Sequence, residues 1–84
     1  SASTYLTEIL DPLTESVQHL LQRMVDEGRL RHPEPRLGAV QLLGPVVVAL
    51  LHQNGLQGRQ TAPLDEEALA RETALGFLRA YGTP

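Results

Sequence analysis

The fold is decided by residues 35–53, which read PRLGAVQLLGPVVVALLHQ. Between Leu37 and Leu51 this segment contains four residues that are not aliphatic, namely Gly38, Gln41, Gly44 and Pro45. A surface helix of a soluble protein normally has one apolar stripe and a polar opposite face. This segment is apolar almost all round, so another layer of protein must cover the side that its own subunit leaves bare.

The chain is too short to supply that cover by itself. Its 84 residues form at most one small domain, and a domain of roughly this size buries only about 60% of the surface of its unfolded chain. The absence of Cys excludes disulfides and thiolate metal sites. No two of its three His residues have the i, i+4 spacing of a helical metal site. We therefore expect association with a second copy, without a metal or cofactor.

Charge and hydropathy argue against a nucleic-acid-binding domain and against a secreted or membrane protein. The net charge is −3, and the seven basic residues, all Arg, are spread along the chain. A nucleic-acid-binding domain usually has a clustered basic patch. The N-terminus lacks the basic and apolar regions of a signal peptide, and an apolar run of 15 residues is shorter than the roughly 20 that a membrane helix needs. We expect a cytoplasmic domain.

Start and stop signals predict a first helix over about residues 12–27. Asp11 is a favourable N-cap, Pro12 suits the first helical position, and Gly28 is typical of a helix end. The apolar positions between them repeat at helical spacing: Leu13, Val17, Leu20, Leu21, Met24 and Val25. Residues 5–10 have the same spacing and are interpreted as the tail of a preceding helix. Because the chain also lacks an initiator Met, we expect a fragment of a longer protein.

Two further helices are predicted, over about residues 35–53 and 65–81. Pro35 begins the central helix, and Asn54-Gly55 ends it. Pro45 removes one backbone hydrogen bond inside it, which predicts a kink. Residues 55–64 contain two Gly and one Pro without periodicity and are expected to form a loop. Asp65 caps the last helix and Gly82 ends it.

The pattern therefore predicts an all-α fold, an antiparallel array of three main helices. Two amphipathic helices cannot cover the whole circumference of the central one, so we expect the central and last helices to form a four-helix bundle across a homodimer. The predicted interface residues are Leu43, Val47, Leu50, Leu51, Leu69, Thr73, Phe77 and Tyr81.

Three segments resemble the C-terminal half of tetracycline-repressor-type (TetR family) transcriptional regulators. They are DEGRLR at residues 26–31, the run EPRLGAVQLLGPVVVALL at residues 34–51, and GFLRAYG at residues 76–82. The resemblance extends over residues 11–82. It implies an α-helical homodimer whose C-terminal domain binds a small-molecule effector and dimerises. It also implies an N-terminal helix-turn-helix domain that binds DNA, for which residues 1–84 contain no candidate.

Candidates for effector contacts lie on the first and central helices. A pocket needs apolar walls and a few polar groups that orient the ligand, which selects Leu20, Met24, Gln41, Val48 and His52. Met24 could equally be plain core. Gln41 could bond a ligand, its symmetry mate in a dimer, or the carbonyl that Pro45 leaves free. His52 is expected to interact with carbonyls at its helix end.

No residue pattern indicates an enzyme. The acidic run at residues 65–67 is explained by the favourable interaction of negative charge with a helix N-terminus. Two hypotheses remain: an effector-binding and dimerisation domain of a transcriptional regulator, and a stand-alone helical module that binds a helix of another protein. The sequence does not identify the effector or the operator.

Overall fold

The computed structural model describes residues 2–32, 34–55 and 57–84 of the chain. Within them the backbone forms four helices and no strand: α1 (Ala2–Asp26), α2 (Pro35–Gly55), α3 (Gly58–Thr61) and α4 (Glu66–Tyr81). The all-α prediction with three main helices is confirmed. α2 continues through Pro45, and the kink predicted there stays a prediction.

The predicted start of the first helix is wrong. α1 begins at Ala2 and continues through Pro12, so Asp11 lies inside the helix and does not cap it. Pro12 removes one backbone hydrogen bond and crowds the preceding turn. Before Pro12, Leu6, Ile9 and Leu10 line clefts together with residues of α2, and after it Leu21 lies in the core. The expected loop over residues 55–64 also differs, because it includes the single turn of α3.

The predicted helix ends are otherwise confirmed, and each has a local cause. Gly28 follows α1 with φ at +74°, a conformation that side chains disfavour. The Glu34 carboxylate accepts a hydrogen bond from the Arg36 backbone N–H at the start of α2, at 3.1 Å. At the start of α4, the Asp65 carboxylate accepts one from the Ala68 N–H at 3.0 Å.

The core lies at one end of the molecule, where the C-terminal parts of α1 and α4 meet the N-terminal part of α2. Its buried apolar residues are Leu21, Leu30, Ala39 and Phe77, with Val17, Met24, Val25, Leu42 and Tyr81 packed around them. Gly38 lets the helices approach closely there, because a Cβ atom on it would lie 3.0 Å from Leu21 Cδ1 and 3.3 Å from Phe77 Cζ.

A buried histidine joins the α1–α2 connector to α2 and α4. His32 is only 3% exposed, and its ring stacks on Phe77 and lies against Tyr81, at centroid distances of 5.5 and 4.3 Å. Its Nδ1 accepts a hydrogen bond from the Glu34 N–H at 3.0 Å. The ring proton therefore belongs on Nε2, which donates to Gln41 Oε1 at 2.6 Å. The partner of Gln41 is therefore His32, which was not among the three partners predicted for it.

Backbone hydrogen bonds fasten the end of α4 to the same connector. The Arg31 N–H donates to the Tyr81 carbonyl at 2.7 Å, and the Thr83 N–H donates to the Arg29 carbonyl at 3.2 Å. The Thr83 hydroxyl adds a bond to the Gly28 carbonyl at 2.8 Å. This short antiparallel pairing fixes the direction of α4 relative to α2.

The opposite end of the molecule is held by a buried glutamine. Gln53, at the end of α2, donates from Nε2 to the Ala62 carbonyl and accepts from the Leu64 N–H, both at 3.0 Å. It therefore attaches the segment before α4 to α2. The principal extents are 43 × 28 × 14 Å, and the shortest one is little more than the diameter of one helix with its side chains. A body this thin leaves wide surfaces uncovered.

Adjacent leucines in α1 provide a test of the core. Leu21 is 2% exposed and Leu20 is 45% exposed. We expect Leu21→Ala to lower the free energy of unfolding by about 2–5 kcal/mol, because it removes buried methyl groups and leaves a cavity. The matched change Leu20→Ala should cost less than about 1 kcal/mol. Urea unfolding at one fixed protein concentration measures both, and equal losses would contradict the placement of the core.

The histidine provides a second test. In His32→Phe the stacked ring is kept, but the Glu34 N–H loses its acceptor and Gln41 loses its donor. We expect a loss of about 1–3 kcal/mol in the free energy of unfolding, although phenylalanine is the more apolar residue. Gln22→Leu, which removes only an exposed bond to Asp26, is the control and should change stability by less than about 0.5 kcal/mol. A stabilising His32→Phe would contradict a structural role for these bonds.

Candidate functional site

An open apolar groove runs between the N-terminal half of α1 and the C-terminal two thirds of α2. It consists of two adjoining clefts of about 350 and 230 Å³ that share Leu10 and Val47. The lining residues are Leu6, Ile9, Leu10 and Thr14 from α1, and Val40, Leu43, Gly44, Val47, Leu50, Leu51 and Asn54 from α2. We call this surface the α1–α2 groove. The larger cleft has the volume, and both clefts have the apolar walls, that are common in sites for small apolar molecules.

The polar groups of the groove are few and lie towards its ends. Asn54 already donates from Nδ2 to the Leu50 carbonyl at 2.9 Å and accepts from Arg59 Nη2 at 3.2 Å. Thr14 is the other polar residue of the lining, and no charged side chain lines either cleft. A charged ligand would lose its hydration there without gaining an ionic partner. The groove is therefore suited to an uncharged molecule.

The α1 wall of this groove was not predicted from the sequence. Leu6, Ile9 and Leu10 belong to the segment that was interpreted as the tail of a preceding helix. A signal was present, because apolar residues keep helical spacing from Tyr5 to Leu13 across Pro12. Reading Pro12 as a helix start separated this segment from the rest of α1.

The five residues predicted to contact a ligand do not come together. None of Leu20, Met24, Gln41, Val48 and His52 lines the groove. Leu20 and Val48 are exposed on other faces of their helices, whereas Met24 packs against the core. His52 Nδ1 lies 2.9 Å from Gln53 Nε2, and its ring packs against Gly58. The structure favours the groove residues over this set, while ligand binding itself stays a prediction.

A second apolar surface lies on the side of α2 that faces away from its own core. It consists of Leu37, Val40, Gly44, Val48 and Leu51, which we call the outer face of α2. Val40, Gly44 and Leu51 also line the α1–α2 groove, so the two surfaces adjoin. The four large side chains are 56%, 53%, 66% and 44% exposed, in chain order. Their spacing places all five residues on one side of the helix. An apolar stripe this long is typical of a surface that binds another protein.

All of the predicted dimer residues except Leu51 lie outside this face. Phe77 is in the core of its own subunit, Tyr81 packs against His32, and Leu43, Val47, Leu69 and Thr73 are half-buried. Only Leu50 and Leu51 are exposed, and both line the α1–α2 groove. On α4 the exposed large apolar residues are Leu75 and Leu78. The dimer contact stays a prediction, but the residues available for it change to the outer face of α2 with Leu75 and Leu78.

α2 is also long and apolar enough, at 21 residues, to cross a membrane by length and composition alone. The sequence-based argument that its apolar run is too short does not hold for the whole helix. One such helix does not by itself indicate a membrane protein, because a core helix of a soluble protein has the same length and composition. Among the residues that the structure describes, no group of His, Asp or Glu is arranged to hold a metal ion.

Comparison with known proteins places the chain in a family. Residues 2–83 match the model for the C-terminal domain of AefR-like transcriptional repressors. No curated protein and no solved structure gives a significant match. The match extends over nearly the whole chain and agrees with the TetR-type resemblance of its helix ends and central helix. The chain belongs to the TetR-type regulators, in the family of AefR-like transcriptional repressor C-terminal domains.

Proposed function

We propose that the chain is the effector-sensing and dimerisation domain of a cytoplasmic TetR-type transcriptional regulator. A DNA-binding domain elsewhere in the parent protein would contact the operator. The observation that carries the proposal is the presence of two adjoining uncovered apolar surfaces on α2, the α1–α2 groove and the outer face, which share Val40, Gly44 and Leu51. The family membership supports a regulatory role.

The α1–α2 groove supports the sensing role. The larger cleft has the volume of a small-molecule site, and the lining of both offers apolar side chains with Thr14 and Asn54 as the polar groups. The effector we propose is therefore a small, apolar and uncharged molecule. A polar or ionised compound would be desolvated there without compensating hydrogen bonds.

The outer face of α2 supports the dimerisation role. The described part of the chain has five buried apolar residues, against thirteen large apolar residues that are exposed. A core of this size supplies little stability for a domain of this length. Packing the outer face against a second copy would bury the most exposed side chains of α2.

α2 is shared by both surfaces, which gives the sensing role a physical route to the assembly. Val47 lines the groove, and the adjacent Val48 lies on the outer face. A ligand that binds one position of α2 better than another would shift the population of that position. The same shift would change the contact between the two subunits, and through it the relative placement of two DNA-binding domains.

Dye binding tests the groove. Nile red, an uncharged apolar dye, should bind the protein, and Leu50→Gln should weaken that binding about tenfold because it places an amide in the apolar wall. Leu20→Gln is the matched control, since Leu20 has similar exposure but lies outside the groove. Fluorescence titration measures both dissociation constants. If Leu20→Gln weakens binding as much as Leu50→Gln does, the groove is not the site.

Sedimentation tests the dimer. We expect the protein to sediment as a dimer, and Val48→Glu should raise the dimer dissociation constant at least about 100-fold by burying an unpaired charge. Circular dichroism should show an unchanged helix content, because Val48 is 66% exposed in the subunit. Leu20→Glu, the control on α1, should remain dimeric. A monomeric wild-type protein would contradict the dimer and favour the alternative of a module that binds another protein's helix.

A further inference from the structure

The α1–α2 groove is long in one direction and narrow across it. Its two clefts meet at Leu10 and Val47, and their walls extend along α2 from Val40 to Asn54. At about 1.5 Å per residue, that part of α2 is about 21 Å long. Carbon atoms in contact lie about 3.5–4 Å apart. Clefts of about 350 and 230 Å³ spread over this length therefore have the width of little more than one extended carbon chain.

The walls along this length are apolar and open to solvent. Ile9, Leu50 and Leu51, which line the larger cleft, are 48%, 42% and 44% exposed. An occupant that covers them removes apolar surface from water, and the gain in free energy is proportional to the area covered. An extended chain covers more of this area than a compact molecule with the same number of carbon atoms, because the compact molecule reaches only one of the two clefts.

One polar group at the end of the larger cleft is oriented before a ligand arrives. Asn54 Nδ2 donates to the Leu50 carbonyl at 2.9 Å, and Asn54 Oδ1 accepts from Arg59 Nη2 at 3.2 Å. A side-chain amide has two N–H donors and can accept two hydrogen bonds, so these bonds leave it one donor and one acceptor. The same Arg59 nitrogen donates to Glu66 Oε1 at 2.6 Å. The amide of Asn54 is therefore held from both sides, which lowers the cost of binding a ligand there.

The charges near Asn54 balance each other. Arg59 is paired with Glu66, and among the described residues no charged side chain lines either cleft. An anionic head group would compete with Glu66 for Arg59, and a cationic one would be repelled by Arg59. A hydroxyl or carbonyl group matches the remaining donor and acceptor of Asn54 without either cost.

We propose that the groove binds an unbranched, uncharged amphiphile, with its head group on Asn54 and its alkyl chain along the groove towards Thr14. This inference rests on the sensing role proposed above and names the class of molecule that would be sensed. Asn54 then determines the specificity for the head group, and Arg59 positions the Asn54 amide. The smaller cleft determines the preferred chain length, because only a chain longer than the larger cleft enters it.

Displacement of Nile red by primary alcohols tests the chain. Hexanol is short enough for the larger cleft, whereas decanol also reaches the smaller one. In Thr14→Phe a larger side chain fills the end of the smaller cleft, so the affinity for decanol should fall at least about tenfold more than the affinity for hexanol. Ser16→Phe, at an exposed position of α1 outside the groove, is the control and should change both affinities less than about twofold. Circular dichroism checks the helical fold of both variants.

A compact alcohol provides a measurement on the wild-type protein alone. Menthol has the ten carbon atoms of decanol, but they form a branched ring that fits only one cleft. We expect decanol to displace Nile red with a dissociation constant at least about 100-fold lower than that of menthol, because decanol covers more of the apolar wall.

Asn54→Leu tests the head group by the sign of its effect. Leucine is apolar, so it would strengthen the binding of a chain that makes no hydrogen bond at this position. If the hydroxyl of decanol bonds the amide, the same change should instead weaken decanol binding about fivefold, since one hydrogen bond between neutral groups is lost. Gln22→Leu, at an exposed position of α1 outside the groove, is the control and should leave the affinity for decanol unchanged.

The outcomes separate this inference from the sensing role. If Nile red binds, but menthol competes as well as decanol does or Thr14→Phe weakens hexanol and decanol equally, the groove has no preference for an extended chain and the inference is overturned. If Asn54→Leu strengthens decanol binding, the head group does not lie on Asn54. If Nile red does not bind the wild-type protein, the sensing role and this inference fail together.

Discussion

The contacts of the His32 ring constrain the rest of the structure. One imidazole lies against two aromatic rings of α4, accepts a bond from the connector and donates one to α2. A buried polar group costs free energy unless its partners are present, so the connector, α2 and α4 must come together in one arrangement. The apolar residues around it supply most of the burial energy, but they do not specify the arrangement as narrowly.

The His32 contacts fix how the helices cross, and this crossing determines which sides of α2 remain uncovered. One side of α2 meets α4 at Gly38, next to Phe77, and meets the segment before α4 at Gln53. A neighbouring side meets α1, where the N-terminal half of α1 lies along it and leaves the α1–α2 groove. The outer face adjoins the groove and shares Val40, Gly44 and Leu51 with it. Both candidate surfaces therefore follow from the packing of α2. A change in the position of α2 would alter both of them.

The helix count and most helix ends could be predicted because they depend on local chemistry, as at Gly28 and Asp65. The start of α1 could not be predicted, because packing against α2 outweighs the local cost of Pro12. The groove was missed for the same reason, since its α1 wall precedes Pro12. The interface side of α2 could not be chosen because its apolar residues surround the helix almost evenly. Only the packing of the helices shows that Phe77 lies in the core and Val47 lines the groove, whereas Val48 is exposed.

The placement of the core at one end has a consequence for how the chain fluctuates. Around Leu21 and His32, opening any one helix exposes buried apolar surface and breaks polar bonds at once. At the other end, Gln53 is the main buried attachment, and the N-terminal half of α1 contacts α2 through half-exposed side chains. Local opening energies follow the density of buried contacts, so resistance to opening decreases along the long axis of the molecule. The groove occupies the part that opens most readily, so a molecule that bound there would gain access without unfolding the remainder.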